Sequence, residues 1–149
     1  MRFRVRTPAA MSIERVAGPG PFTSYVLRDE RAEVHVVPER GGLVTRWRVE
    51  GDEVLHLDEQ TLLDPTKNVR GGIPLLFPNP GPLPEGQAVV GGHVIRQPQH
   101  GLARLHPWDV VEAITDGDTD RLVLRLASSE RTRPGFPFDF VSTLAVSLY

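Results

Sequence analysis

Apolar residues recur at every second position over most of this chain, and that period of two predicts an all-β protein. In Leu43-Val44-Thr45-Arg46-Trp47-Arg48-Val49 the odd positions are Leu, Thr, Trp and Val, while Arg46 and Arg48 share the other face. That is the pattern of a half-buried strand. Gly51-Asp52 then turns the chain, and residues 54–57 are expected to form the returning arm of a hairpin. Upstream, residues 25–27 and 33–37 read as a strand pair around the charged turn 28–31, with Val34 and Val36 facing inward. Downstream, residues 108–114 and 121–127 flank Thr115-Asp116-Gly117-Asp118-Thr119-Asp120 and predict a second hairpin, with Leu122, Leu124 and Leu126 on one face. The last run carries Phe138, Phe140, Leu144, Val146 and Leu148 on even positions, so one strand is expected from about Phe138 onward. Helical periodicity is absent apart from a short turn over residues 58–63. Together these elements imply an antiparallel β-sandwich over residues 23–149, preceded by an N-terminal arm, partly disordered, over residues 1–22.

The last strand sharpens the picture, because no Pro, Lys or charged residue follows Asp139. A strand rich in Leu and Val with nothing to blunt it presents an edge that other chains can pair with. Three readings follow: the edge is covered by an N-terminal strand, the chain is the first half of a larger sandwich, or a homodimer forms through this C-terminal edge strand.

Composition narrows the function classes. The chain has 149 residues, 40% apolar and 24% charged, which fits one soluble domain. A net charge of −2 gives no general reason to bind nucleic acid or an anionic membrane, so any anion specificity must be local. Sixteen of the seventeen basic residues are Arg, which suits bidentate contact with phosphate or carboxylate and is equally a product of codon bias. With no cysteine there is no disulfide framework, thiolate nucleophile or sulfur metal site, in keeping with a cytoplasmic location. No stretch reaches the roughly 18 apolar residues of a membrane helix, and no signal-peptide core is present. Arg2, Arg4 and Arg6 start the chain without acids, but Pro8 and the missing apolar face argue against a transit peptide; Met11 offers an alternative start.

The densest chemistry lies between Arg70 and Trp108. Arg70-Gly71-Gly72-Ile73-Pro74 is followed some thirty residues later by Gln99-His100-Gly101-Leu102-Ala103-Arg104, with Pro78, Pro80, Pro82, Pro84 and Pro98 and several glycines between them. Such a composition fixes backbone angles and predicts a long, stiff loop that either lines a polar pocket or merely crosses between sheets. His100 is the acid–base candidate because imidazole changes charge near neutral pH. Arg70 and Arg104 offer rigid forks of donors to hydroxyls or phosphate; the alternative for each is an ion pair with Asp109 or Glu85, or a bond to loop carbonyls. Gln99 either donates to a hydroxyl or caps the loop. Phe77 and Trp108 are expected in the core rather than stacked on a ligand. Gly71 and Gly72 permit close backbone approach but lack the spacing of a nucleotide-binding fingerprint. His93, His100 and His106 do not have metal-triad spacing, and no Gly-x-Ser-x-Gly element exists. No metal or other cofactor is expected.

The segments "RGGIPLLFPNPGPLPEG" and "PQHGLARLHPW" resemble the hexose-6-phosphate mutarotase branch of the aldose 1-epimerase family. The resemblance extends from about Val34 through "RLVLRLASSERTRPGFPFDF" to the last residue. It implies a galactose mutarotase-like β-sandwich, present here at half length, and interconversion of the anomers of an aldohexose or its 6-phosphate. It also implies that His100 is the first active-site histidine and that Arg70, Gln99 and Arg104 line the sugar pocket. The family's principal acid and base, a second histidine and a glutamate, belong to a C-terminal half with no counterpart in this sequence. A noncatalytic carbohydrate-binding module and an inactive, self-associating fragment therefore stand beside the enzyme reading.

Overall fold

The computed structural model describes residues 12–149. Ten strands form two packed antiparallel sheets and a separate hairpin. The first sheet has five strands in sequential order: β1 (Ser12–Ala17), β2 (Thr23–Arg28), β3 (Ala32–Val37), β4 (Leu43–Val49) and β5 (Asp52–Glu53). The second places β9 (Thr119–Ala127) between β8 (Asp109–Asp116) and β10 (Val141–Leu148). The hairpin joins β6 (Gln87–Val90) to β7 (His93–Arg96), and among the described residues the one α-helix is the short α1 (Glu59–Leu63). Its start is fixed by the Asp58 carboxylate, which accepts from the Thr61 amide at 3.2 Å.

The core lies between the two larger sheets. Leu27, Val34, Val36 and Val44 of the first face Leu122, Leu124 and Leu126 of the second, with Trp108 and Ala103 closing one side. The alternation that predicted these inward residues is therefore the physical origin of the sandwich. Trp108 and Phe77 are core residues: the Trp108 indole donates to the Ala103 carbonyl at 2.9 Å, and Phe77 packs on Phe136 and Phe140.

Several expectations need correction. Part of the arm expected over residues 1–22 is β1, which pairs with β2 from Ser12 to Ala17; residues 1–11 lie outside the described residues. In β4 the face changes midway, because a bulge at Thr45 sets Val44 opposite Val36 but Trp47 opposite Val34. The arm expected at residues 54–57 is replaced by the two-residue β5 (Asp52–Glu53), which begins inside the expected turn. Its successors are engaged elsewhere: Gly72 N donates to the His56 carbonyl at 2.8 Å, and Leu57 bridges to Gly71. The last strand begins at Val141 and not at Phe138. Pro137 has no amide to donate, and Phe136, Phe138 and Phe140 instead form a ring cluster with Phe77.

The outer face of the first sheet is charged. Glu33 of β3 accepts from His35 at 2.7 Å and pairs with Arg28 at 2.7 Å, while Arg46 chelates Glu53. Burial raises the Glu33 carboxyl, but the hydrogen bonds from His35 and Arg28 and the Arg28 charge outweigh it, leaving Glu33 below its ordinary value. A depressed folded-state pKa contributes stability above the unfolded value near 4.5, and that stability is lost as pH falls through the folded value. Glu33→Gln is accordingly expected to lower the urea midpoint at pH 7 and to narrow its difference from wild type on acidification below about pH 4.

Candidate functional site

Two sharp backbone approaches build the cavity. His100 adopts a left-handed conformation (φ 71°), and Gly101 follows it at φ 72°. Gly101 lies so close to Phe77 that a Cβ there would sit 2.1 Å from the Phe77 carbonyl oxygen. That same oxygen accepts from Leu102 N at 2.7 Å and Ala103 N at 3.1 Å. The loop is thereby pinned to residue 77 while Gln99, His100 and Arg104 project from it. On the opposite wall Gly41 (φ 78°) abuts the Arg104 backbone, where an added Cβ would come within 2.4 Å of the Arg104 carbonyl oxygen.

The resulting cavity measures about 220 Å³. It holds Gln99, His100 and Arg104 with Arg40, Lys67 and Asn68, above an apolar floor that includes Leu43 and Leu76. No carboxylate lines it. This is smaller than the roughly 300–1,000 Å³ of sites for drug-sized ligands, and it combines an apolar floor with a few converging polar side chains.

Each polar group is held by a specific partner. His100 Nδ1 lies 2.8 Å from the Pro80 carbonyl, an acceptor, so Nδ1 carries the hydrogen, and in the uncharged imidazole Nε2 is left to accept. Arg104 donates to the Asn68 side-chain oxygen and, at 2.6 Å, to the Gln99 carbonyl; its Nε is buried without a partner. Burial and then the nearby Arg40 charge press the Arg104 guanidinium below its ordinary range. Arg40 is itself lowered by burial, partly offset by the Asp64 charge. It donates to the carbonyls of Leu62, Asp64 and Lys67 at 2.9 Å each, clamping the segment that carries Lys67 and Asn68.

Three of the four residues singled out from the sequence meet in this cavity. The fourth, Arg70, does not. It is exposed and lines a neighbouring depression with Asp58, Gln60 and Thr61, which shares only Lys67 and Asn68 with the first. Its backbone is committed: the amide donates to Thr61 Oγ1 at 2.9 Å and the carbonyl accepts from Asp58 N at 2.8 Å. Gly71 and Gly72 serve close approach, since a Cβ at either would strike the His56 or Val44 carbonyl. Sequence reasoning missed Arg40, Lys67 and Asn68. A signal for the first was present, because Arg40-Gly41-Gly42 repeats the Arg-Gly-Gly triplet of residues 70–72. His106 lies outside the cavity, half-buried, and is pushed down by burial and by Arg131. Among the described residues no group of three or more His, Cys, Asp or Glu is placed to hold a metal ion, and no helix is long and apolar enough to cross a membrane.

Residues 23–149 match the family model described as aldose 1-epimerase, and the chain belongs to that family. It is 34% identical over 105 residues to an Escherichia coli protein named "Putative glucose-6-phosphate 1-epimerase", covering 68% of this chain and 32% of that one. A protein of the same name from Cenchrus ciliaris is 34% identical over 101 residues, 65% of this chain and 26% of its own. Among solved structures, Slr1438 from Synechocystis superposes with a TM-score of 0.78 at 37% identity, covering all of this chain and 48% of that one. A galactose mutarotase-like protein of Clostridium acetobutylicum shares the fold at 17% identity, with a TM-score of 0.76 over 93% of this chain and 46% of that one. The chain thus spans between about a quarter and a third of the length of these curated relatives and just under half of these structures.

Proposed function

We propose that this chain binds an aldohexose, preferentially as its 6-phosphate, and acts on the interconversion of its anomers. The observation that supports this most is the cavity lining: Arg40, Lys67 and Arg104 around one half-buried imidazole, with no carboxylate among them. Burial, and then the nearby Arg40 charge, leave the Arg104 guanidinium short of counter-charge, and a sugar phosphate supplies an anion for it together with hydroxyls for Gln99, Asn68 and His100. The relatives named as glucose-6-phosphate 1-epimerases point the same way.

Anomer exchange needs a base for the C1 hydroxyl proton and an acid for the ring oxygen; the ring opens, the C1–C2 bond rotates, and closure gives the other anomer. His100 Nε2, left as an acceptor by the Nδ1–Pro80 bond, is suited to the first task or to polarising a hydroxyl. The opposing group is not among the lining residues, and this favours a second reading, a module that binds the sugar without transforming it.

Exchange NMR of the glucose 6-phosphate anomers separates the two readings. The expected result is an acceleration over buffer that His100→Asn removes; Asn tolerates the left-handed backbone at this position, so the variant loses the imidazole with little strain. Bound sugar exchanging at the buffer rate would establish the module instead.

A further inference from the structure

We propose that Arg40 is a positioning residue that sets selectivity for a phosphorylated over a neutral sugar, by fixing Lys67, Asn68 and Arg104 around one cavity. The inference rests on the sugar-phosphate reading of that cavity. Arg40 ends the short turn after β3 (Pro38–Arg40), and much of its guanidinium is spent on backbone. Nε donates to the Leu62 carbonyl at 2.9 Å, and Nη2 reaches the carbonyls of Asp64 and Lys67 at 2.9 Å each and of Thr61 at 3.4 Å. These acceptors need a donor from outside their own segment. The last carbonyls of a helix have no partner within it, and α1 carries no basic residue in its last turn. Thr61 and Leu62 are also buried, which keeps water from their carbonyls. Arg40, 22 residues before Leu62, supplies what the helix lacks.

Two routes connect this clamp to Arg104. The Lys67 carbonyl shares one planar peptide with the Asn68 amide, so holding the first orients the residue that follows. Asn68 Oδ1 then accepts from Arg104 Nη1. On the other side Gly41, next to Arg40 in the chain, abuts the Arg104 backbone with no room for a Cβ. Arg40 thereby ties the segment after α1 and the His100 loop into one frame, and it is this frame that points Lys67, Asn68 and Arg104 into a common cavity. A positive charge alone does not reproduce it. Lysine carries its donors on a single nitrogen, whereas the four carbonyls here are divided between two nitrogens of a rigid fork.

Arg40→Lys separates position from charge. It is expected to weaken glucose 6-phosphate binding about tenfold, the contribution of one charge-assisted hydrogen bond, and to leave glucose within about threefold, so the ratio of the two affinities falls. A side chain that only held the fold together would lower the urea midpoint and leave that ratio unchanged. Asn68→Ala, which removes the link to Arg104, is expected to give a loss of similar size. The double variant should lose no more than the larger single loss, because both changes break one path. A wild-type ratio in Arg40→Lys, or losses that multiply in the double variant, would overturn the proposal while leaving the sugar-phosphate site standing. Inorganic phosphate titrated alongside tells the two failures apart. If the folded, unmodified chain binds phosphate but not glucose 6-phosphate, the sugar reading falls and the Arg40 clamp is judged on phosphate affinity; if it binds neither, both fall. Should Arg40→Lys not fold, proton exchange in the unmodified chain decides: the Arg40 Nε–H is expected to exchange at least about tenfold more slowly than that of exposed Arg70, and equal rates would refute the clamp.

Discussion

Gly101→Ala is expected to destabilise the protein by about 3 kcal/mol or more and to abolish the cavity with it. Two independent costs combine. At φ 72° an alanine in the left-handed region costs roughly 1 kcal/mol relative to glycine. The larger cost is steric, since the new Cβ would lie 2.1 Å from the Phe77 carbonyl oxygen and 2.7 Å from Pro78 N, both backbone atoms with no rotamer to escape into. Separating them breaks the bonds from Leu102 N and Ala103 N to that oxygen, each contributing about 0.5–1.5 kcal/mol. Urea unfolding reads the sum. Gly117→Ala is the control: it has a similar φ of 58° but nothing within 4 Å, so it should lose only the conformational part, about 1 kcal/mol.

Arg104→Ala is expected to weaken glucose 6-phosphate binding by tenfold to a hundredfold, with a much smaller effect on glucose. A charge-assisted hydrogen bond contributes about 1.5–3 kcal/mol, which is that range in affinity. The side chain is preorganised for the task, held by Asn68 and the Gln99 carbonyl before any ligand arrives. Its partly buried charge is opposed by Arg40, so an anion gains more here than at an exposed arginine. Arg70→Ala serves as the contrast, because Arg70 faces the neighbouring depression and is expected to leave the affinity within about threefold of wild type.

Much of the sheet structure was legible because burial on one face writes a period of two into the sequence. Val34 and Val36, and Leu122, Leu124 and Leu126, point inward as that period predicts. The period misleads at Thr45, where a single extra residue exchanges the two faces, and at Phe138, where alternating rings pack in a cluster instead of a ladder. The β6–β7 hairpin was hidden inside a stretch rich in Pro and Gly. Its signal was local: Gly91-Gly92, both at positive φ, between pairs of β-prone residues. In the site, Gln99, His100 and Arg104 lie within six residues of one another, and one pinned loop brings them together. Arg40, Lys67 and Asn68 come from elsewhere in the chain and reach the cavity through Gly41 packing on Arg104, the Arg40 clamp and the Arg104–Asn68 bond. Long-range contacts of that kind leave no periodic trace. The same limit applies to Arg70, whose neighbour in sequence says nothing of which depression it faces.

The cavity bounded by Arg40, Lys67, His100 and Arg104 is the proposed sugar-phosphate site. Titrating glucose 6-phosphate into the isotope-labelled chain, followed by amide and imidazole NMR shifts, tests it most directly. Saturable shifts centred on Gly41, Asn68, His100 and Arg104, weakened by Arg104→Ala, are the predicted result. Shifts confined to the charged face around His35, Arg46 and Glu53, or none in a folded sample, would contradict it.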